Sequence, residues 1–185
     1  MKNQTSPKSA VEIVVTDRQG HRRAKAPATE LAPLNIHLRR ILVPLDFSEP
    51  SQQALRYAHV FAEQFGASLT LVHVIEPMVY PAELGYVPIV PDDLEEKRME
   101  ELKGRLKAIA QDLGTTSKVE TSLRVGRSWR EICDAAKADN TDLIILSTHG
   151  YTGLKHALLG STAERVVRHA PCPVLTVRRD EHDFA

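Results

Sequence analysis

The sequence predicts an α/β domain: a doubly wound, Rossmann-like sheet of five parallel strands with helices on both faces. Three observations lead there. Five short apolar runs alternate with four segments of helical period from residue 41 to residue 177. The helical segments open on capping residues or close on glycine, so the chain is punctuated as strand, helix, strand. The fourth apolar run, Leu143 to Leu146, leads straight into Ser147-Thr148-His149-Gly150, nine further residues and Gly160-Ser161. Parallel neighbours require crossover connections, and the helical segments supply them.

Each element has a local reason. Ile41 to Leu45 is the first strand, with Pro44 tolerable because it stands near the strand's end. Ser48 caps the first helix and Pro50 suits its first turn. Ala54, Leu55, Ala58, Phe61, Ala62 and Phe65 fall at helical spacing before Gly66 stops it. Ser68 to Ile75 is the second strand. A loop with Pro77, Pro81, Gly85, Pro88 and Pro91 follows, long enough to act as a flap. Asp92 and Glu95 form a capping-box pattern ahead of a helix whose Leu102, Leu106, Ile109 and Leu113 share one face up to Gly114. Val119 to Val125 is the third strand. Ser128 with Glu131 repeats the capping-box spacing before a helix that puts Trp129, Ile132, Cys133 and Ala136 on one side. Leu143 to Leu146 is the fourth strand. Ser161 with Glu164 caps the fourth helix, and Val174 to Val177 is the fifth strand.

Residues 1–36 differ in character. Through Arg40 there are eight basic residues against three acidic ones, a net charge of +5, in a chain whose overall formal charge is zero. Such a segment reads as a basic, flexible N-terminal tail in which Val11 to Val15 can add a short edge strand; a solvated tail is favoured over a nucleic-acid arm. The domain occupies residues 37–180, and residues 181–185 form a C-terminal tail. No apolar run approaches the roughly 18 residues of a spanning helix and no apolar signal core opens the chain, so a cytoplasmic protein that does not contact the membrane is expected. Cys133 and Cys172 lack metal or redox spacing and read as free, buried thiols. His156 and His169 have no partner at ligand spacing, and no metal site is expected.

The loop after the fourth strand has the chemistry of a phosphate site. Glycines let backbone N–H groups approach an anion, and a helix opening at Ser161 adds a hydroxyl and a positive helix end. In a doubly wound sheet, ligands bind beyond the carboxyl ends of the strands where the winding reverses. Asp46, at the end of the first strand, is the best polar contact there, because a carboxylate accepts from sugar hydroxyls.

Together, Ile41 to Ser48, Leu71 to Ile75, the loop from Ser147 to Ser161 and Pro171 to Leu175 resemble the universal stress protein family. The resemblance covers about Leu38 to Arg179. It implies the sheet order 3-2-1-4-5, a homodimer joined through Val174 to Val177, and, in one branch, ATP binding in stress response. That branch carries Gly-x-x-Gly, nine residues, then Gly and Ser or Thr; here Ser147 replaces the first glycine. Carried over, the resemblance places adenine near Val74 and the strand end at Pro44. It places ribose near Asp46 and Gly126, phosphates on Gly150, Gly160, Ser161 and Thr162, and Leu146 and His149 on the floor. The implied ligand is ATP, alone or with Mg2+.

The residues themselves leave three classes open: a nucleotide-responsive regulatory module, a slow ATP hydrolase, and a nucleotide-free dimeric interaction protein. The first is favoured. No Gly-x-x-x-x-Gly-Lys, Gly-x-Gly-x-x-Gly or Gly-x-Ser-x-Gly occurs, so no catalytic residue is assigned. Bland roles compete at each position. Asp46 can cap a helix or bind loop amides, Ser161 can be consumed by its capping box, and the loop glycines can serve turn geometry. His73 reads as an interior strand residue and His149 as a loop hydrogen-bonder.

Overall fold

Strand residues in this chain sort by parity, and that parity builds two cores. Ile41 and Val43 point to one face of the sheet with Leu69 and Leu71; Leu42 points to the other with Val72 and Ile144. All seven are 1% exposed or less. Burying side chains of this size contributes roughly 1.5 to 3 kcal/mol each.

The computed structural model describes residues 12–16, 22–27, 37–77, 92–148 and 160–178. The elements are β1 (Glu12–Thr16), β2 (Arg22–Pro27), β3 (Arg40–Pro44), α1 (Glu49–Phe65), β4 (Ser68–Ile75), α2 (Asp92–Asp112), β5 (Val119–Val125), α3 (Ser128–Ala138), β6 (Leu143–Ser147), α4 (Ser161–His169) and β7 (Val174–Val177). The chain divides into two units, residues 1–36 and 37–185. In the first, β1 and β2 pair antiparallel as a two-stranded sheet. The strand expected at Val11 to Val15 therefore forms, but it does not extend the larger sheet.

The second unit holds a five-stranded parallel sheet in the order β5-β4-β3-β6-β7. Counted within this unit the order is 3-2-1-4-5, as the resemblance implies. β3 is central, and the winding reverses between β3 and β6, its neighbours in register at Ile41 with Leu143 and Leu42 with Ile144. Asp142 fixes that junction: its carboxylate accepts from the N–H groups of Arg39 at 2.8 Å and Arg40 at 2.9 Å.

Helices α1 and α2 cover one face through Ala54, Leu55, Ala58, Ala62 and Leu106, and α3 and α4 cover the other through Ile132, Ala136, Ala163 and Val166. The α1 boundaries follow the expected signals. Ser48 is the N-cap and accepts from the Ser51 N–H, while Gly66 adopts φ 64° and returns its N–H to the Ala62 carbonyl. A residue with a Cβ would be strained at that φ.

Two expected capping boxes do not form. Helix α3 has Arg127 as its N-cap with no side-chain bond, and Glu131 turns instead to Arg124, 3.3 Å away. Helix α4 has Gly160 as its N-cap, Ser161 is its first residue rather than its cap, and Glu164 pairs with Arg168 at 2.9 Å. In both helices an arginine takes the glutamate that the capping box would use: Arg124 on β5 for Glu131 and Arg168 one turn on for Glu164. The helix after the proline-rich loop begins at Asp92 itself; that residue's side chain and the loop's glycine and remaining prolines beyond Pro77 lie outside the described residues. Cys133 is buried as expected, whereas Cys172 is only half-buried; both are free, and burial pushes both thiols up.

Candidate nucleotide site

The carboxyl ends of β3, β4 and β6 converge with the start of α4 on one crevice of about 270 Å³. From the strand ends come Pro44, Asp46, Val74, Leu146 and Ser147; from the start of α4 come Gly160, Ser161 and Thr162. Residues separated by more than a hundred positions thus share one cavity because β3 and β6 are neighbours.

Asp46 is held in a tight turn. Its Oδ1 accepts from the Ser48 N–H at 3.0 Å and from the Ser48 hydroxyl at 2.5 Å. Phe47 between them adopts φ 63°, a conformation that costs a bulky residue of the order of 1 kcal/mol or more. Its ring is clamped: His73 lies 4.4 Å away centroid to centroid, and the Arg105 guanidinium sits 4.2 Å over its face. His73 in turn places Nδ1 2.6 Å from the Leu45 carbonyl. The bland role foreseen for Asp46, binding loop amides, is therefore real, and the same turn fixes the carboxylate in the crevice wall.

The opposite contribution comes from α4. At an N-cap, Ser, Asp or Asn would turn its side chain onto the N–H groups of the first turn. Gly160 has no side chain to do so and makes no cap bond. The first i to i−4 bond of the helix runs from the Glu164 N–H to the Gly160 carbonyl, so helix geometry leaves the N–H groups of Ser161, Thr162 and Ala163 without intrahelical acceptors. All three residues line the crevice. The Gly160 N–H itself is used, donating to the Thr148 carbonyl at 2.7 Å, a bond that ties together the two ends of the intervening loop. What Gly160 offers the crevice is space.

Ser147 behaves as a strand residue. It pairs with Val177 at the end of β6 and is not among the described residues with positive φ, so a serine there meets no backbone strain. Gly126 is placed differently from expectation. It follows β5, is absent from the crevice lining, and has its own requirement for glycine: φ is 153°, and a Cβ would lie 2.7 Å from Glu131 Oε1. His149 and Gly150 lie outside the described residues.

Several lining residues were not singled out from the sequence as contacts. His73, Thr148, Ser128, Ile132 and Ala163 all reach the crevice. For His73 a signal existed: it stands near the carboxyl end of the strand next to β3, where ligands gather. Ser128 and Ile132 carried no such signal, because the sequence does not say how far α3 leans toward α4. Among the described residues no group of three or more His, Cys, Asp or Glu gathers. No helix among them is long and apolar enough to cross a membrane.

Comparison with known proteins now decides the family. The profile of the universal stress protein family matches residues 37–178. The chain belongs to the universal stress protein family. Universal stress protein MJ0531 of Methanocaldococcus jannaschii is 36% identical over 148 residues, covering 78% of this chain and 85% of the relative. The solved structure of MJ0577, from the same organism, superimposes with a TM-score of 0.66 at 33% identity, covering 80% of this chain and all of that one. Universal stress protein UspA from Lactobacillus plantarum gives a TM-score of 0.63 at 29% identity, covering 78% of this chain and 100% of that one. The segment matched by the family covers the domain that carries the crevice and begins at His37, where the second unit begins.

Proposed function

We propose that this universal stress protein binds ATP in the crevice between β3, β6 and α4 and acts as a nucleotide-responsive regulatory module. One observation carries the reading: α4 begins at a glycine without a side-chain cap, and the first-turn residues whose amides are left open line the same cavity as Asp46. Those amides and the positive helix end suit phosphate oxygens. Asp46 suits ribose hydroxyls, and Val72, Val74, Ile132 and Leu146 supply an apolar wall for a base. Charge-assisted hydrogen bonds contribute about 1.5 to 3 kcal/mol each, so three of them with burial of the base are of the size that micromolar binding requires.

Equilibrium dialysis with labelled ATP tests it. Wild-type protein is expected to retain ATP, and Asp46→Asn, which keeps an oxygen for Ser48 but loses the charge, to retain it about tenfold more weakly. No retention by wild type or by a Ser147→Gly variant would end the proposal. The homodimer belongs to the same reading. β7 is one of the two edge strands, with Val174, Leu175 and Thr176 only half-buried, and an apolar edge can pair with its copy. Sedimentation at low micromolar concentration should show a dimer; a single monomeric species would refute it.

A further inference from the structure

A second, polar cavity of about 200 Å³ lies against the same first turn of α4, lined by Glu76, Arg127, Trp129, Ser161, Thr162 and Arg165. Ser161 and Thr162 line both cavities, so the helix start is a shared wall rather than a boundary. The second cavity has many donors and few acceptors. Arg127 and Arg165 form no ion pair or side-chain hydrogen bond among the described residues. The carboxylate in the lining, Glu76, is already committed: it accepts from the Ser128 N–H at 2.8 Å and also from the Ser128 hydroxyl, standing in as the missing cap of α3. The two arginines lie close enough to help hold Glu76 ionised, after the Ser128 amide and hydroxyl, which act most strongly. Two cations against one engaged anion leave the cavity with a surplus of positive charge beside a positive helix end.

We propose that this cavity is a second anion subsite in which Arg127 and Arg165 receive the outer phosphates of a nucleoside di- or triphosphate whose inner phosphate and nucleoside occupy the main crevice. The proposal rests on nucleotide binding in that crevice and deepens it, because it names the ligand class: polyphosphates over monophosphates. A phosphate chain that meets the amides of Ser161 and Thr162 reaches the arginines by continuing over the same turn. Guanidinium groups match phosphate oxygens with paired donors, a fit that a single charge on a flexible stem does not give. An AMP molecule has no second phosphate to send there.

The test compares ATP with AMP by titration calorimetry on the full chain, in wild type and in the Arg127→Gln/Arg165→Gln double variant. Both arginines are exposed and contribute nothing to the apolar cores, and equal melting temperatures check that the variant folds. Wild type should bind ATP about tenfold or more tightly than AMP, and the variant should bring ATP to within about threefold of AMP while leaving AMP unchanged. Raising salt should shrink the wild-type preference and have little effect on the variant's. An undiminished ATP preference in the variant, or no preference in wild type while AMP still binds, overturns the subsite and leaves the crevice reading standing. Failure of wild type to bind either nucleotide overturns both.

Discussion

Helices α1 and α4 both start at the crevice, yet they dispose of their opening amides in different ways. At α1 the chain satisfies itself: Ser48 accepts from the Ser51 N–H, the Ser51 hydroxyl donates to the Ser48 carbonyl, and Asp46 accepts from Ser48. At α4 the cap is Gly160, no side chain turns onto the first turn, and Glu164 is drawn off by Arg168. Helix α3 is a third case, with its cap supplied by Glu76 from 52 residues away. A helix end that its own chain completes contributes to stability; one left incomplete beside a cavity is available to a ligand.

The largest expected effect comes from making α4 resemble α1. Gly160→Asp places a carboxylate on the open amides at a φ of −65°, which any residue adopts. The variant should melt slightly higher and bind ATP at least about tenfold more weakly, through lost amide donors and charge repulsion. Unchanged affinity in calorimetry would show that those amides are not the phosphate contact. The converse change, Ser48→Ala, makes α1 resemble α4. It should cost about 1 kcal/mol, or roughly 2 to 4 °C in melting temperature, read by thermal denaturation. Loss of ATP binding in excess of that stability loss would mean the Asp46 turn depends on the serine hydroxyl.

The smallest effect concerns α3. The Ser128 amide and hydroxyl, with Arg127 and Arg165, hold the Glu76 carboxyl below its ordinary value. A carboxylate whose folded pKa is depressed stabilises fully above its unfolded pKa of about 4.5, and that contribution is lost as pH falls through the lower folded value. Glu76→Gln should therefore destabilise at neutral pH, and the difference from wild type should shrink once pH falls below about 4.5 and vanish below the lower folded value. Because Glu76 is solvent-exposed, the neutral-pH cost should stay under about 1 kcal/mol in urea denaturation. A pH-independent difference would remove Glu76 as the charged cap.

Local signals were legible wherever one residue decides an outcome with its near neighbours. The strand at Ser68 to Ile75 and the α1 cap and stop at Ser48 and Gly66 stand where periodicity and capping chemistry put them. Capping boxes failed as a guide at Ser128 and Ser161, since a glutamate three residues on also has competitors that the spacing does not reveal: Arg124 for one, Arg168 for the other. Of the residues that line the crevice, Pro44, Asp46, Val74, Leu146, Ser147 and Gly160 to Thr162 could be named in advance. The turn at Phe47 could not, because a phenylalanine in a left-handed conformation violates its own preference and is held there by His73 and Arg105 from other elements.

By itself the sequence determined the alternation of strands and helices, the parity that gives each strand two apolar faces, and the glycine at the head of α4. Those follow from backbone sterics and burial within a few residues. Only the tertiary structure decided that Ser161 begins α4 without capping it, that Glu76 completes α3, and that Arg127 and Arg165 line one cavity against the first turn of α4. Such pairings join residues tens of positions apart, and their geometry is set by how the helices pack on a twisted sheet, a property of the whole core rather than of any local run.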